Sequence, residues 1–65
     1  MNAEEPKVNP EGRYSVVETC KFLGIHRTTL WRYTAYGRIK CGVRRSTAKK
    51  FYTGSEILRL WKATM

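Results

Sequence analysis

The sequence has few acidic residues, few cysteines and no long apolar run, and each shortage excludes a class of protein. Only 5 of its 65 residues are Asp or Glu, against 13 Lys and Arg, so the formal net charge is +8. No stretch approaches the roughly 20 apolar residues of a membrane-spanning helix. The beginning of the chain also lacks the apolar centre of a signal peptide. We therefore expect a cytoplasmic protein with no membrane partner.

The chain also lacks the residues of a metal or catalytic site. Cys20, Cys41 and the single histidine, His26, cannot supply the four ligands of a structural zinc ion. Their spacing does not suggest a nucleophile with a supporting base, and no glycine-rich phosphate loop is present. We expect no metal and no cofactor, with both cysteines as buried, reduced thiols. An enzyme is the least favoured class.

What the chain does have is an unbalanced block of positive charge. Residues 1–12 carry a net charge of −2 and lack periodic apolar residues, so we predict a flexible acidic leader, followed by one small domain over residues 13–65. Eight cations lie between Arg27 and Lys50 with no acidic residue among them. Such a run favours a polyanionic partner, and nucleic acid in particular. A basic surface without a specific partner is the alternative; an anionic membrane is disfavoured because Gly37 and Gly42 interrupt the run.

Local patterns predict two short helices joined by a tight turn. The sequence from Ser15 to Glu18 matches a capping box, in which each residue caps the backbone of the other. An apolar stripe follows, and Gly24 is suited to ending the helix. A second helix is predicted from Arg27 to Tyr36, with Leu30, Tyr33 and Thr34 on its inner face and Gly37 closing it. His26 is a poor cap, which leaves open whether Thr28 or Thr29 caps this helix.

The remaining chain predicts a hairpin and a third helix. Ile39, Cys41 and Val43 alternate with polar residues and indicate a strand, and Lys49 to Tyr52 indicates a second one with Phe51 available for the core. Ser46, Thr47 and Ala48 would form the turn. A second capping-box spacing begins at Thr53 and opens a helix whose buried stripe is predicted to be Ile57, Leu58, Leu60 and Trp61.

This order of elements resembles the excisionase-type winged helix, a relative of the DNA-binding domain of MerR-like regulators. The resemblance covers Tyr14 to Lys62 and is carried by Tyr14-Ser15-Val16 with Glu18, Phe22-Leu23-Gly24-Ile25, Arg27-Thr28-Thr29-Leu30-Trp31-Arg32, Gly37-Arg38-Ile39 and Phe51-Tyr52-Thr53. The sequence departs from the family pattern at Val17, Cys20 and His26. The implied fold is an α+β winged helix-turn-helix with three helices and a two-stranded hairpin wing.

The resemblance also implies a function. Members are architectural proteins that bind double-stranded DNA sequence-specifically and assist a tyrosine recombinase in excising a mobile element. Several copies often bind side by side and bend the DNA. The second helix is expected in the major groove, and the wing is expected to follow the backbone and reach the neighbouring minor groove.

Candidate DNA contacts fall into two groups. On the second helix they are Arg27, Thr28, Thr29, Trp31 and Arg32; on the wing and its flanks they are Arg38, Lys40, Arg44, Arg45, Lys49 and Lys50. Arg27 and Arg32 could read guanine or clamp a phosphate. The two threonines could instead bond their own helix. Trp31 and Tyr36 could contact DNA or belong to the core.

Two other functions compete with excision. A stand-alone transcriptional regulator could use the same fold, although no residues follow Met65 to form an effector pocket, so we expect no small-molecule effector. An RNA-binding protein is less favoured, because the predicted hairpin tip is cationic and almost free of aromatic residues for base stacking.

Overall fold

Three helices and a three-stranded antiparallel sheet make up the fold, in a computed structural model that describes residues 3–63. In chain order the elements are β1 (Arg13–Ser15), α1 (Val16–Leu23), α2 (Arg27–Ala35), β2 (Gly42–Val43), β3 (Lys50–Thr53) and α3 (Gly54–Ala63). The sheet order is β1-β3-β2, and β2 and β3 form the hairpin wing. The predicted α+β winged-helix architecture is confirmed, with β1 as an additional strand that the pattern did not predict.

The β1 strand depends on contacts made far along the chain. Its residues pair with β3, with Tyr14 opposite Tyr52. Just before it, the carbonyls of Gly12 and Pro10 accept hydrogen bonds from the first two N–H groups of α3, at 3.0 and 3.1 Å. Helix N-termini need such partners because their first N–H groups have none within the helix. Residues 10–12, predicted as part of a flexible leader, thus cap α3.

The capping box predicted for α1 is confirmed. Ser15 Oγ accepts from the Glu18 N–H at 3.1 Å, and the Glu18 carboxylate accepts from the Ser15 N–H at 3.2 Å. Gly24 ends the helix in the left-handed region at φ 67°. Leu23 is fully buried, while Val16 and Cys20 pack against the core from a half-buried position.

His26 caps α2, which corrects the expectation that Thr28 or Thr29 would do so. Its Nδ1 atom accepts from the Thr28 N–H at 3.2 Å. An imidazole nitrogen can replace the usual hydroxyl or carboxylate oxygen because it offers a lone pair at the same reach. The helix ends at Ala35, one residue earlier than predicted, and Gly37 follows with φ 75°.

The core is small and lies between the sheet and the helices. Its fully buried apolar side chains come from every part of the fold except β1 and β2: Leu23, Leu30, Ile39, Tyr52, Ile57 and Leu60. The Tyr52 hydroxyl is satisfied by Thr34 Oγ1 at 2.8 Å. Trp61 and Leu58, predicted for the buried stripe of α3, are half-buried at its edge.

The hairpin differs from the prediction in two ways. Ile39 is buried but Val43 is 57% exposed, because the chain leaves the core before β2 begins. On β3 it is Tyr52, not Phe51, that faces the core. Alternate residues of a strand point to opposite faces, so Phe51 lies on the outer face, where its ring covers Gly42 on the neighbouring strand.

Candidate nucleic-acid interface

The outward face of α2 carries most of the helix residues predicted to contact DNA. Leu30 points into the core, and Thr28, Arg32 and Ala35 lie on the opposite side and are exposed. Arg27 is also exposed, while Thr29 is half-buried. Trp31 is 42% exposed and Tyr36 is 74% exposed, so neither aromatic side chain belongs to the core. A helix with short and cationic side chains on its free face has the shape and charge to enter a major groove.

A cation–π contact joins the wing to this face. The Lys50 ammonium lies 3.6 Å from the centroid of the Trp31 ring. Lys50 reaches α2 because it shares the inward side of β3 with Tyr52, two residues further on. Each such contact stabilises by about 0.5–1 kcal/mol at an exposed site. The contact joins Trp31, a predicted DNA contact on the second helix, to Lys50, a predicted DNA contact on the wing.

The tip of the wing holds three more of the predicted cations. Arg44, Arg45 and Lys49 are all exposed, on or beside the turn, which spans residues 45–47, one residue earlier than the predicted 46–48. The Arg44 N–H donates to the Lys49 carbonyl at 3.0 Å, which closes the loop. Ala48 has φ 53° and reverses the chain direction. Backbone bonds fix the loop, so its cationic side chains are left for other partners.

Arg38 and Lys40 are not part of this group. The Arg38 guanidinium stacks over Tyr33, 5.9 Å from the ring centroid. Residues 31 and 33 are about 200° apart around a helix, so Arg38 lies on the opposite side of α2 from Lys50. The backbone N–H of Lys40 donates to the Glu56 carboxylate at 2.9 Å. The Arg38 side chain is thus separated from Lys50 by α2, while the backbone of Lys40 is bonded to α3; both side chains are exposed.

Arg13 is a cation that the sequence analysis did not assign to the interface. It lies on β1, and its guanidinium stacks on the outer face of the sheet, 5.1 Å from the centroid of the Phe51 ring. Arg13 pairs with Thr53 of β3, and Thr53 and Phe51 point to the same face of the sheet because they are two residues apart. The Arg13 side chain therefore reaches the Phe51 ring. Arg13 lies outside the basic block, which begins at Arg27, so it could be assigned to the candidate interface only from the β1–β3 pairing.

Positive charge is hardly neutralised anywhere in residues 3–63. The one ion pair there joins Arg59 to Glu56 at 2.8 Å. Burial raises the pKa of the Glu56 carboxyl, but the Lys40 N–H and the Arg59 guanidinium outweigh burial, so its pKa lies below the usual value. The other glutamate after residue 12, Glu18, is engaged in the α1 cap. The wing cations therefore have no acidic partner within the described chain.

Cys20 lacks the lowered pKa of a reactive cysteine. Both thiols are free and half-buried. Burial raises the pKa of the Cys20 thiol more than the nearby Arg27 charge lowers it, so Cys20 is less acidic than an ordinary cysteine. A raised pKa is the opposite of what a nucleophilic cysteine needs. Within residues 3–63, histidine, cysteine and glutamate side chains form no group of three that could hold a metal ion.

Comparison of the chain with protein-family models, curated proteins and solved structures finds no match. Across residues 3–63, none of the helices combines the length and the apolar character that crossing a membrane requires. The geometry of the site is therefore the basis for the functional argument.

Proposed function

We propose that this protein binds double-stranded DNA, with α2 in the major groove and the β2–β3 wing along the sugar-phosphate backbone. The observation that carries the proposal is the contact of Lys50 with Trp31. This contact sets one cation of the wing against the exposed face of α2. A helix that reads base edges and an adjacent cationic ribbon that holds phosphates are the two parts that sequence-specific recognition requires.

Charge supports duplex DNA over a partner of mixed charge. Twelve Lys and Arg lie between residues 13 and 63, against two glutamates that are both already engaged. Protein partners normally present both signs, whereas a polyanion supplies only the missing one. Trp31, one of two exposed aromatic residues at α2 together with Tyr36, has a lysine ammonium at its ring, which disfavours its use as a stacking platform for single-stranded RNA.

The finer proposal is an architectural role of the excisionase type, without catalysis, in the cytoplasm and associated with the nucleoid. Its support is the residue-level resemblance over Tyr14 to Lys62 together with the small winged fold. In this role several copies would bind neighbouring sites and bend the DNA for a tyrosine recombinase. Bending 20–30 base pairs costs on the order of 1–6 kcal/mol, which repeated cationic contacts can offset.

Salt dependence tests the binding proposal directly. If the chain neutralises roughly six phosphates, the logarithm of its affinity for duplex DNA should fall against the logarithm of salt concentration with a slope near −5. Fluorescence anisotropy with a labelled duplex measures this slope. A slope near zero, or no binding at low salt, would refute the proposal.

Base readout by Arg32 is tested by its substitution with alanine. If the Arg32 guanidinium contacts guanine, R32A should reduce discrimination at one base pair by about 1–3 kcal/mol. Competition against a library of single-base variants of the site measures the loss. A uniform loss of affinity across the library would instead make Arg32 a phosphate contact.

Footprinting separates excision from regulation. Protection of two or more adjacent repeats, with hypersensitive cuts between them, on the attachment region of a mobile element is the expected result. A single protected site centred on a promoter would favour a stand-alone transcriptional regulator instead.

A further inference from the structure

A cleft of about 310 Å³ lies where the tip of the wing meets the junction of β1 and α1. One wall comes from the wing tip, with Arg44, Thr47 and Lys49. The other comes from the end of β1, with Arg13 and Ser15. Phe51 lines the cleft between them. Side chains that are remote in sequence therefore surround one small space on the flank of the sheet.

The charge around this cleft is strongly one-sided. Three of the cations that lack an acidic partner present their charge to it: Arg13, Arg44 and Lys49. Lys50 also lines the cleft, but its ammonium lies on the Trp31 ring. The acidic residue in the lining is Glu18, and its carboxylate accepts the Ser15 N–H of the α1 capping box. Like charges around one space repel each other, and an anion within it would relieve that repulsion.

Arg13 is held in a position suited to binding an anion. Its guanidinium stacks on Phe51, and the Phe51 ring is in turn set against Gly42 of β2. A guanidinium that lies over an aromatic ring in a cation–π contact can still use its N–H groups for hydrogen bonds. Those groups form a fork that matches two oxygens of a phosphate. Arg44 can present a second fork from the wing tip, and Thr47 offers a hydroxyl donor.

We propose that this cleft binds a phosphate group, held by Arg13 and Arg44 with help from Thr47 and Lys49. The phosphate can be a phosphodiester of the DNA backbone or a free or terminal phosphate, since the groups that recognise it are the same. The assignment to the DNA backbone rests on the proposed function; the phosphate site itself does not. Arg13 thereby becomes a binding residue outside the basic block of the sequence.

The site is tested by titrating the full chain, labelled with ¹⁵N, with inorganic phosphate and following its NMR signals. Saturable shifts are expected at the Arg13 and Arg44 side-chain Nε–H groups and at the Thr47 amide. R13Q should weaken phosphate binding at least tenfold. K21Q is the matched control, because Lys21 is an exposed cation on α1 that does not line the cleft; it should stay within twofold of the wild type.

The proposal is overturned if phosphate shifts all arginine and lysine signals alike, or if R13Q binds phosphate as the wild type does. R44Q provides a second variant at the opposite wall in case R13Q does not fold. Its substitution site lies beside the turn, outside the core.

A duplex of 20 base pairs distinguishes the two phosphate sources. If R13Q also flattens the salt slope of DNA binding by about one unit, the cleft holds a backbone phosphodiester. An unchanged slope together with lost phosphate shifts supports a site for a free or terminal phosphate. If the wild type binds no DNA, the proposed function is wrong. The phosphate titration then still tests whether the cleft binds phosphate.

Discussion

The two loops at either end of β2 both carry positive charge but differ in how their backbones are held. In the loop before β2, the Arg38 carbonyl accepts from the Arg59 guanidinium and the Lys40 N–H donates to Glu56. In the loop after β2, residues 44–49 bond to one another through the backbone alone, and their three cationic side chains have no acidic partner in the described chain. The first loop is anchored to α3, whereas the second is closed by its own backbone bonds. Cation count alone does not separate the two loops; the partners of their backbone groups do.

The sharpest test of this difference is to remove charge from the wing tip. R44A/R45A should weaken binding to all duplex sequences by about 2 kcal/mol and flatten the salt slope by up to about two units, because two phosphate contacts are lost. Anisotropy titrations over a range of salt concentrations measure both changes. K21A/K62A removes two exposed cations elsewhere and should leave the slope nearly unchanged. Loss of a single sequence preference, with the slope intact, would contradict the assignment to phosphates.

At the anchored loop before β2, a substitution is expected to change the stability of the fold and not the salt slope of DNA binding. E56Q should lower the free energy of unfolding by about 1 kcal/mol, because the solvent-exposed ion pair with Arg59 is lost and the hydrogen bond from the Lys40 N–H becomes weaker. Urea denaturation followed by circular dichroism measures the change. E11Q, at an exposed glutamate of the leader, is the control and should change stability by less than about 0.5 kcal/mol. A stable E56Q protein with a flatter salt slope for DNA would reverse the contrast between the loops.

Acid should weaken the anchored loop through the same carboxylate. The pKa of Glu56 is lower in the folded protein than its ordinary value, so the unfolded chain takes up the proton first as pH falls. The stabilisation is therefore complete above about pH 5 and is lost as the pH falls below the ordinary carboxyl pKa of roughly 4.3 and through the lower value of the folded state. Urea denaturation at several pH values should show a smaller loss of stability for E56Q than for the wild type. Parallel pH profiles would show that the ion pair contributes nothing.

The smallest expected effect concerns the contact between the wing and α2. Trp31 and Lys50 should show a coupling free energy of about 0.5–1 kcal/mol in a double-mutant cycle that uses W31L and K50M. Urea denaturation of the four proteins gives this value. Additive single effects would mean that the wing is not held against α2 by this pair.

Features set by neighbouring residues could be predicted from the sequence. The α1 capping box, the glycine that ends α1 and, to within one residue, the turn of the wing each depend on a few adjacent positions. For the same reason, most cations of the wing could be named in advance. Their residue types and spacing carry the information, without knowledge of distant contacts.

Features set by distant contacts could not be predicted. β1 is only three residues long and forms through its pairing with β3, so the local sequence does not place Arg13 in the candidate interface. Phe51 was expected in the core in place of Tyr52 because a shift of one residue along a strand exchanges its two faces. Arg38 and Lys40 look like wing cations in sequence, yet the partners that separate them, Glu56 and Arg59, follow 16 or more residues later.

The carbonyls of Pro10 and Gly12 at the start of α3 bear on how the protein can be shortened. A variant that begins at Arg13 would keep every regular element but leave the Gly54 and Ser55 N–H groups without their acceptors. The backbone of Asn9 also lies against Gly54 so closely that a side chain there would collide with it. The smallest unit to express in isolation therefore starts no later than Asn9, ahead of the first strand.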